Sequence, residues 1–204
     1  TTAPFYNRSA LHGILTGGNA VAYSYKIDAG SWSAETPMAT PLAVTGLADG
    51  FHTIYIIGKH TNGYWQSQTA TDVFTLSWVQ DTVAPEAYID PLTYPASVTA
   101  STSFNVRVIG TDVSFFRYCL DNGATSDCTA NSWQGNPAPA ASSGYALPIG
   151  SYAGSLVPGA VTLKVIGIDR SGNVQSSAIA GGTYSYVVDT GSVEALFNAS
   201  DVAA

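Results

Sequence analysis

Leu47 to Ser67 reads LADGFHTIYIIGKHTNGYWQS, and Leu156 to Ser176 reads LVPGAVTLKVIGIDRSGNVQS. The second stretch begins 109 positions after the first, and eight positions are identical: Leu47/Leu156, Gly50/Gly159, Thr53/Thr162, Ile57/Ile166, Gly58/Gly167, Gly63/Gly172, Gln66/Gln175 and Ser67/Ser176. In both, Gly and turn residues bracket a short alternating apolar run. That pattern is a tight turn, a strand and a second tight turn, written twice. Each copy needs its own sheet to bury its strand, so the 204 residues read as two domains of roughly 100 residues each.

The repeat extends outward. Thr2-Ala3-Pro4 echoes Thr82-Val83-Ala84-Pro85. Tyr25 to Gly30 echoes Tyr118 to Gly123, and Thr75 to Thr82 echoes Thr183 to Thr190. The spacing between copies is 93 at the second of these anchors and 108 at the third, which predicts an inserted loop of about 124–151 in the second copy. The expected domains are 1–83 and 84–190, with a C-terminal tail at 191–204. Thr1 to Pro4 starts inside what is elsewhere a linker, as a cut from a longer chain or a processed mature end would.

Alternation places the strands. His52, Ile54 and Ile56 share one face, and Thr53, Tyr55 and Ile57 the other. Val161, Leu163 and Val165 face together. Phe74, Leu76 and Trp78 form an inward face, matched by Tyr184, Tyr186 and Val188. Phe104–Ile109, Phe115–Leu120 and a short Ala87–Asp90 add further strands, while Trp32 and Trp78 are read as strand residues of the core. Asp-Gly, Asn-Gly and Ser-Gly turns recur at the spacing of an all-β sandwich. In the tail, Val193, Leu196, Phe197 and Val202 could stripe a short helix capped by Ser192, or the segment could be extended or disordered.

Three motifs carry a resemblance. They are Tyr25-Lys26-Ile27-Asp28-Ala29-Gly30-Ser31-Trp32-Ser33, then Gly46-Leu47-Ala48-Asp49-Gly50-Phe51-His52-Thr53-Ile54, then Asp169-Arg170-Ser171-Gly172-Asn173-Val174-Gln175. Together with the Asp81–Pro85 joint, they resemble the tandem bacterial immunoglobulin-like domains of large secreted and cell-surface proteins. The resemblance implies two tandem immunoglobulin-like β-sandwiches and an extracytoplasmic setting. His60-Thr61-Asn62-Gly63 departs from the third motif, and the second copy gains two cysteines and loses the Trp-Ser pair.

Composition excludes several functions. The net charge is −7 with seven Lys plus Arg, so no basic stripe exists to neutralise phosphates, and nucleic acid is excluded as a partner. No apolar run approaches a membrane span, and no membrane insertion is expected. Charged residues make up 10% of the chain, against about 25% in an average soluble domain. Cys119 and Cys128 flank a turn-like segment. They read as a disulfide across a hairpin, with a reduced pair or a two-ligand metal site as the alternatives. A disulfide with so little charge implies a secreted or cell-surface protein whose signal peptide has been removed.

No nucleophile elbow, zinc motif or phosphate loop occurs, and no carboxylate pair is set for glycoside hydrolysis. The expectation is therefore no enzyme and no cofactor. Asp169 with Asn173 offers a weak calcium site, against a plain turn-building role. Tyr64 and Trp65 at a turn tip and Trp133 in the insertion are carbohydrate-binding candidates, against packing back on their own sandwich. Two functions follow. One is a structural or adhesive module, a subunit of a surface filament or coat, that binds other protein subunits through its termini or strand edges. The other is a carbohydrate-binding accessory module of a larger secreted enzyme or adhesin, which binds surface glycans.

Overall fold

The computed structural model describes residues 5–69, 71–100, 103–121, 128, 133–139, 145–148, 159–189 and 191, with backbone alone for 103–105, 134–139 and 145–148. The tail readings at 192–204 and the Thr2-Ala3-Pro4 echo lie outside the described residues. The described residues are all-β apart from two short 3₁₀ turns, Pro91–Thr93 and Ala180–Gly182. It divides into two compact units, Thr1–Ala84 with Arg170–Asn173, and Pro85–Asp169 with Val174–Ala204.

Among the described residues the first unit has seven strands: β1 (Phe5–Asn7), β2 (Leu11–Gly13), β3 (Ala20–Ile27), β4 (Thr36–Pro37), β5 (Leu42–Val44), β6 (Gly50–His60) and β7 (Phe74–Gln80). They form a five-stranded sheet in the order β1-β7-β6-β3-β4 and a two-stranded sheet of β2 and β5. Strand β6 is central because its alternation buries one face. Ile54 and Ile56 enter a core with Tyr23, Leu42, Val44 and Trp78, each such side chain stabilising by roughly 1.5–3 kcal/mol. On the opposite face Thr53 meets Ser77, their hydroxyls 3.0 Å apart. Strand β1 lies parallel to β7 at the sheet edge.

The second unit has β8 (Glu86–Ile89), β9 (Val98–Thr99), β10 (Ser103–Val106), β11 (Val108–Thr111), β12 (Phe115–Asp121), β13 (Gln134–Pro139), β14 (Tyr145–Pro148), β15 (Gly159–Ile168) and β16 (Thr183–Val188). The five-stranded sheet runs β13-β12-β15-β16-β9, and β8 pairs with β11 and β10 with β14. Val161, Leu163 and Val165 of β15 are buried against Ala87, Ile89 and Tyr186. Strand β9 lies parallel to β16 as β1 does to β7.

Three expectations change. The stretch 124–151 is no plain inserted loop. It carries β13, which extends the five-stranded sheet beside β12, and β14, which pairs with β10, as β4 and β5 do between β3 and β6 in the first unit. Trp32 lies in the loop after β3, half-buried with the Lys26 ammonium 5.4 Å from its ring centre. Phe74 is 56% exposed although its neighbours Leu76 and Trp78 turn inward, because no described strand covers the end of the sheet where it stands.

Candidate functional site

The turn after β6 builds the most exposed aromatic surface of the first unit. Gly63 takes φ 92°, a left-handed conformation that costs a side-chain-bearing residue. It lets His60 N–H reach Tyr64 O at 2.8 Å. Asn62 Oδ1 accepts from Tyr64 N–H, and His60 Nδ1 accepts from Asn62 N–H. The rings are thereby pushed outward: Tyr64 is 76% exposed and Trp65 39%. The Lys59 ammonium sits 5.6 Å from the Trp65 ring centre and 2.6 Å from Glu35 Oε2, so its charge is already matched. A depression of about 390 Å³ lies among Asn19, Lys59, His60, Asn62, Tyr64 and Trp65.

A second hollow adjoins it. It encloses about 370 Å³ between the segment Ile14–Gly17 and the inner face of β3, β6 and β7, and it is lined by Ile14, Leu15, Tyr23, Met38, Ile56 and Phe74 among others. Ile14 is 82% exposed at its mouth. Alternation did not reveal this groove: it read Ile56 and Phe74 as inward-facing and assigned no face to Ile14 or Leu15.

Trp133 lies in a different unit from Tyr64 and Trp65. It belongs to the second unit, half-buried beside Cys128, Lys164 and Thr183 at a separate hollow of about 280 Å³. Cys119 of β12 and Cys128 form a disulfide with Cα atoms 5.5 Å apart. Asp169 is buried and groups with the second unit, while Asn173 groups with the first.

His52, a core-facing position by alternation, lies tilted against Trp78 with ring centres 5.7 Å apart. Its Nε2 is 2.8 Å from Ala48 O and its Nδ1 2.8 Å from Asp28 Oδ2. Both neighbours are acceptors, so the ring satisfies both as the doubly protonated cation. The Ala48 carbonyl, then the Asp28 carboxylate, raise the His52 pKa above its ordinary value against the opposing effect of burial. For Asp28, burial pushes upward, but the bonds from His52 and from Thr53 N–H outweigh it and hold the carboxyl below its usual range.

No family model and no curated protein matches the sequence. Solved structures do. The fibronectin(III)-like modules of Clostridium thermocellum CbhA superpose with a TM-score of 0.51 at 11% identity, over 91% of this chain and 87% of theirs. The fold is the immunoglobulin and fibronectin-III sandwich. A tetra-tandem repeat from the extending region of a large adhesion protein matches at TM-score 0.40 and 14% identity, over 92% of this chain and 43% of that one. The central fibronectin-III array of RIM-binding protein matches at TM-score 0.29 and 12% identity, over 92% and 66%.

Proposed function

We propose that the chain is a non-enzymatic extracellular module with a structural or adhesive role, a subunit of a surface filament or coat that assembles through strand edges or its termini. The observation that carries this reading is the character of the open strands. The sequences FYN, LHG, TP, LAV and VT of β1, β2, β4, β5 and β9 contain no Lys, Arg, Asp or Glu. Strand edges that must stay solitary are normally guarded by charge, by proline or by a covering element. Among these five strands only Pro37 does so; the other described edge of the second five-stranded sheet, β13, carries Pro137 and Pro139. The disulfide suits an oxidising compartment. The test is particle size over a range of concentrations, for the intact chain, for a chain ending at Thr190, and for a variant carrying Tyr6→Lys and Ala43→Lys. Assembly predicts that the intact chain exceeds a monomer, through an interface above about 1,000 Å², and that one of the changes abolishes it. An intact chain that stays monomeric overturns the reading.

The second reading, a carbohydrate-binding accessory module, rests on the outward Tyr64 and Trp65. Aromatic faces carry negative charge density that favours contact with polarised C–H groups of a sugar ring. A glycan array read with the intact chain and with Tyr64→Ala tests it. Binding that survives Tyr64→Ala and Trp65→Ala unchanged sinks this site.

A further inference from the structure

Among the described residues, the second unit has two strands without a counterpart in the first, the paired β8 and β11, and the difference falls on the apolar groove. In the second unit β8 lies antiparallel to β11, with Val108 opposite Ile89 and Gly110 opposite Ala87. Ala87 and Ile89 are fully buried there. By the 93-residue spacing, Val108 to Gly110 of the second unit correspond to Leu15 to Gly17 of the first. Among the described residues of the first unit, no strand pairs with that segment.

The groups that hold β8 are nevertheless repeated. Gln175 Oε1 accepts from Gly167 N–H at 3.1 Å and from Ala87 N–H of β8 at 2.8 Å. Gln66 Oε1 accepts from Gly58 N–H at 3.1 Å, and among the described residues nothing takes the place of the Ala87 donor. A Cβ on Gly167 would meet Ala87, Pro85 and Val113, each at 3.2 Å, whereas a Cβ on Gly58 would meet only Ala20 at 3.5 Å and Gln66 Oε1 at 3.7 Å. Ala20 stands where Val113 stands. Among the described residues, no strand approaches Gly58 as β8 approaches Gly167.

We propose that this groove is an acceptor slot for an extended strand from a second polypeptide. The incoming strand adds its backbone beside Ile14–Gly17, donates an N–H to Gln66 Oε1, and turns small and then branched apolar side chains inward, as Ala87 and Ile89 do. Strand addition gains affinity from main-chain bonds and specificity from alternate side chains. One preference follows from the copies. In the second unit Arg107 donates to the Asp90 carboxylate at the end of β8. Ile14 stands at the Arg107 position, so the incoming strand carries an apolar residue where β8 is followed by Asp90. The proposal takes its biological meaning from the assembly reading and rests on it to that extent.

The probe is a peptide of residues 84–91 bearing Asp90→Leu, titrated into the full chain and followed through backbone amide resonances. Saturable binding is expected, with shifts at Gly58, Gln66 and residues 14–17. Affinity falls at least tenfold when the peptide carries Ala87→Arg, and severalfold when it keeps Asp90. Gly58→Val, which places a side chain in the slot, weakens binding at least tenfold, and Gln66→Ala weakens it severalfold. The altered peptides leave the protein untouched, so they decide the matter even if a protein variant misfolds. Three results would overturn the proposal: no saturable binding up to millimolar peptide, equal binding of the Ala87→Arg peptide, or shifts confined to the second unit. A monomeric chain that binds the peptide keeps the slot and loses the assembly reading. An assembling chain blind to the peptide loses the slot alone.

Discussion

Gln66 and Gln175 occupy the same place in the two units, yet Gln175 is 6% exposed and Gln66 lies open. Both accept from the glycine N–H on the strand before them, Gly58 and Gly167. Both also donate their backbone N–H to that glycine's carbonyl, at 2.8 and 3.0 Å. The local device is therefore identical, and only the second unit closes over it with β8. A repeated motif preserves its own turn; it does not guarantee the neighbour that covers it. The Gln pair shows how far a repeat predicts structure: through contacts within the motif, and no further.

If the units are independent sandwiches, damage to one core must leave the other standing. Trp78 is fully buried in the first core, and its counterpart Tyr186 is buried in the second. Trp78→Ala should cost about 3–5 kcal/mol in the first unit alone. Calorimetry would then show one transition moved and one unmoved. A common shift of both transitions would break the comparison. The disulfide separates the units the other way. Removing it with Cys119→Ala and Cys128→Ala frees a short loop in the second unit and should cost about 2–3 kcal/mol there, with the first transition unchanged.

The glutamines give a finer contrast. Gln175→Ala strands two N–H groups, one of them on fully buried Ala87, and should cost about 2–3 kcal/mol. Gln66→Ala strands a single N–H near solvent and should cost about 0.5–1 kcal/mol. Denaturant unfolding of each variant reads the difference. Equal costs would mean that Gln66 is covered in solution as Gln175 is.

Most of the sheet was legible because alternation and turn glycines act over a few residues. Ile54, Leu163 and Trp78 all proved buried as their periodicity implied. The strands β13 and β14 were not legible, since Gln134–Pro139 contains two prolines and no alternating apolar run, and its place depends on pairing with β12. Phe74 misled because periodicity says which side chains share a face and not whether that face is covered along its whole length. The groove was not legible for a related reason: alternation assigned no face to Ile14 and Leu15, and the second unit's β8 shows what a covered version looks like. Of the candidate aromatics, Tyr64 and Trp65 were found from the Asn62-Gly63 turn, whereas the position of Trp133 depends on long-range pairing.

The smallest effect sharpens the comparison at a single position. His52 corresponds to Val161, so only the first unit carries a titrating group at this site. Its raised pKa means that the folded state holds the proton more tightly than the unfolded chain. The added stability is thus fully present below the unfolded value of about 6.5, and it is lost as pH rises through the raised folded value. Asp28 acts in the other direction: its lowered pKa contributes stability above about 3.8 that disappears as pH falls through the folded value. Because the Asp28 side chain is 46% exposed, solvent screening limits the pair to about 1 kcal/mol or less. The first unit's transition should therefore fall slightly between pH 6 and pH 8.5, while the second unit's shows no dependence from this source. His52→Val, which writes the second unit's residue into the first, should flatten that slope. A slope that persists in the His52→Val chain would assign the pH dependence to some other group.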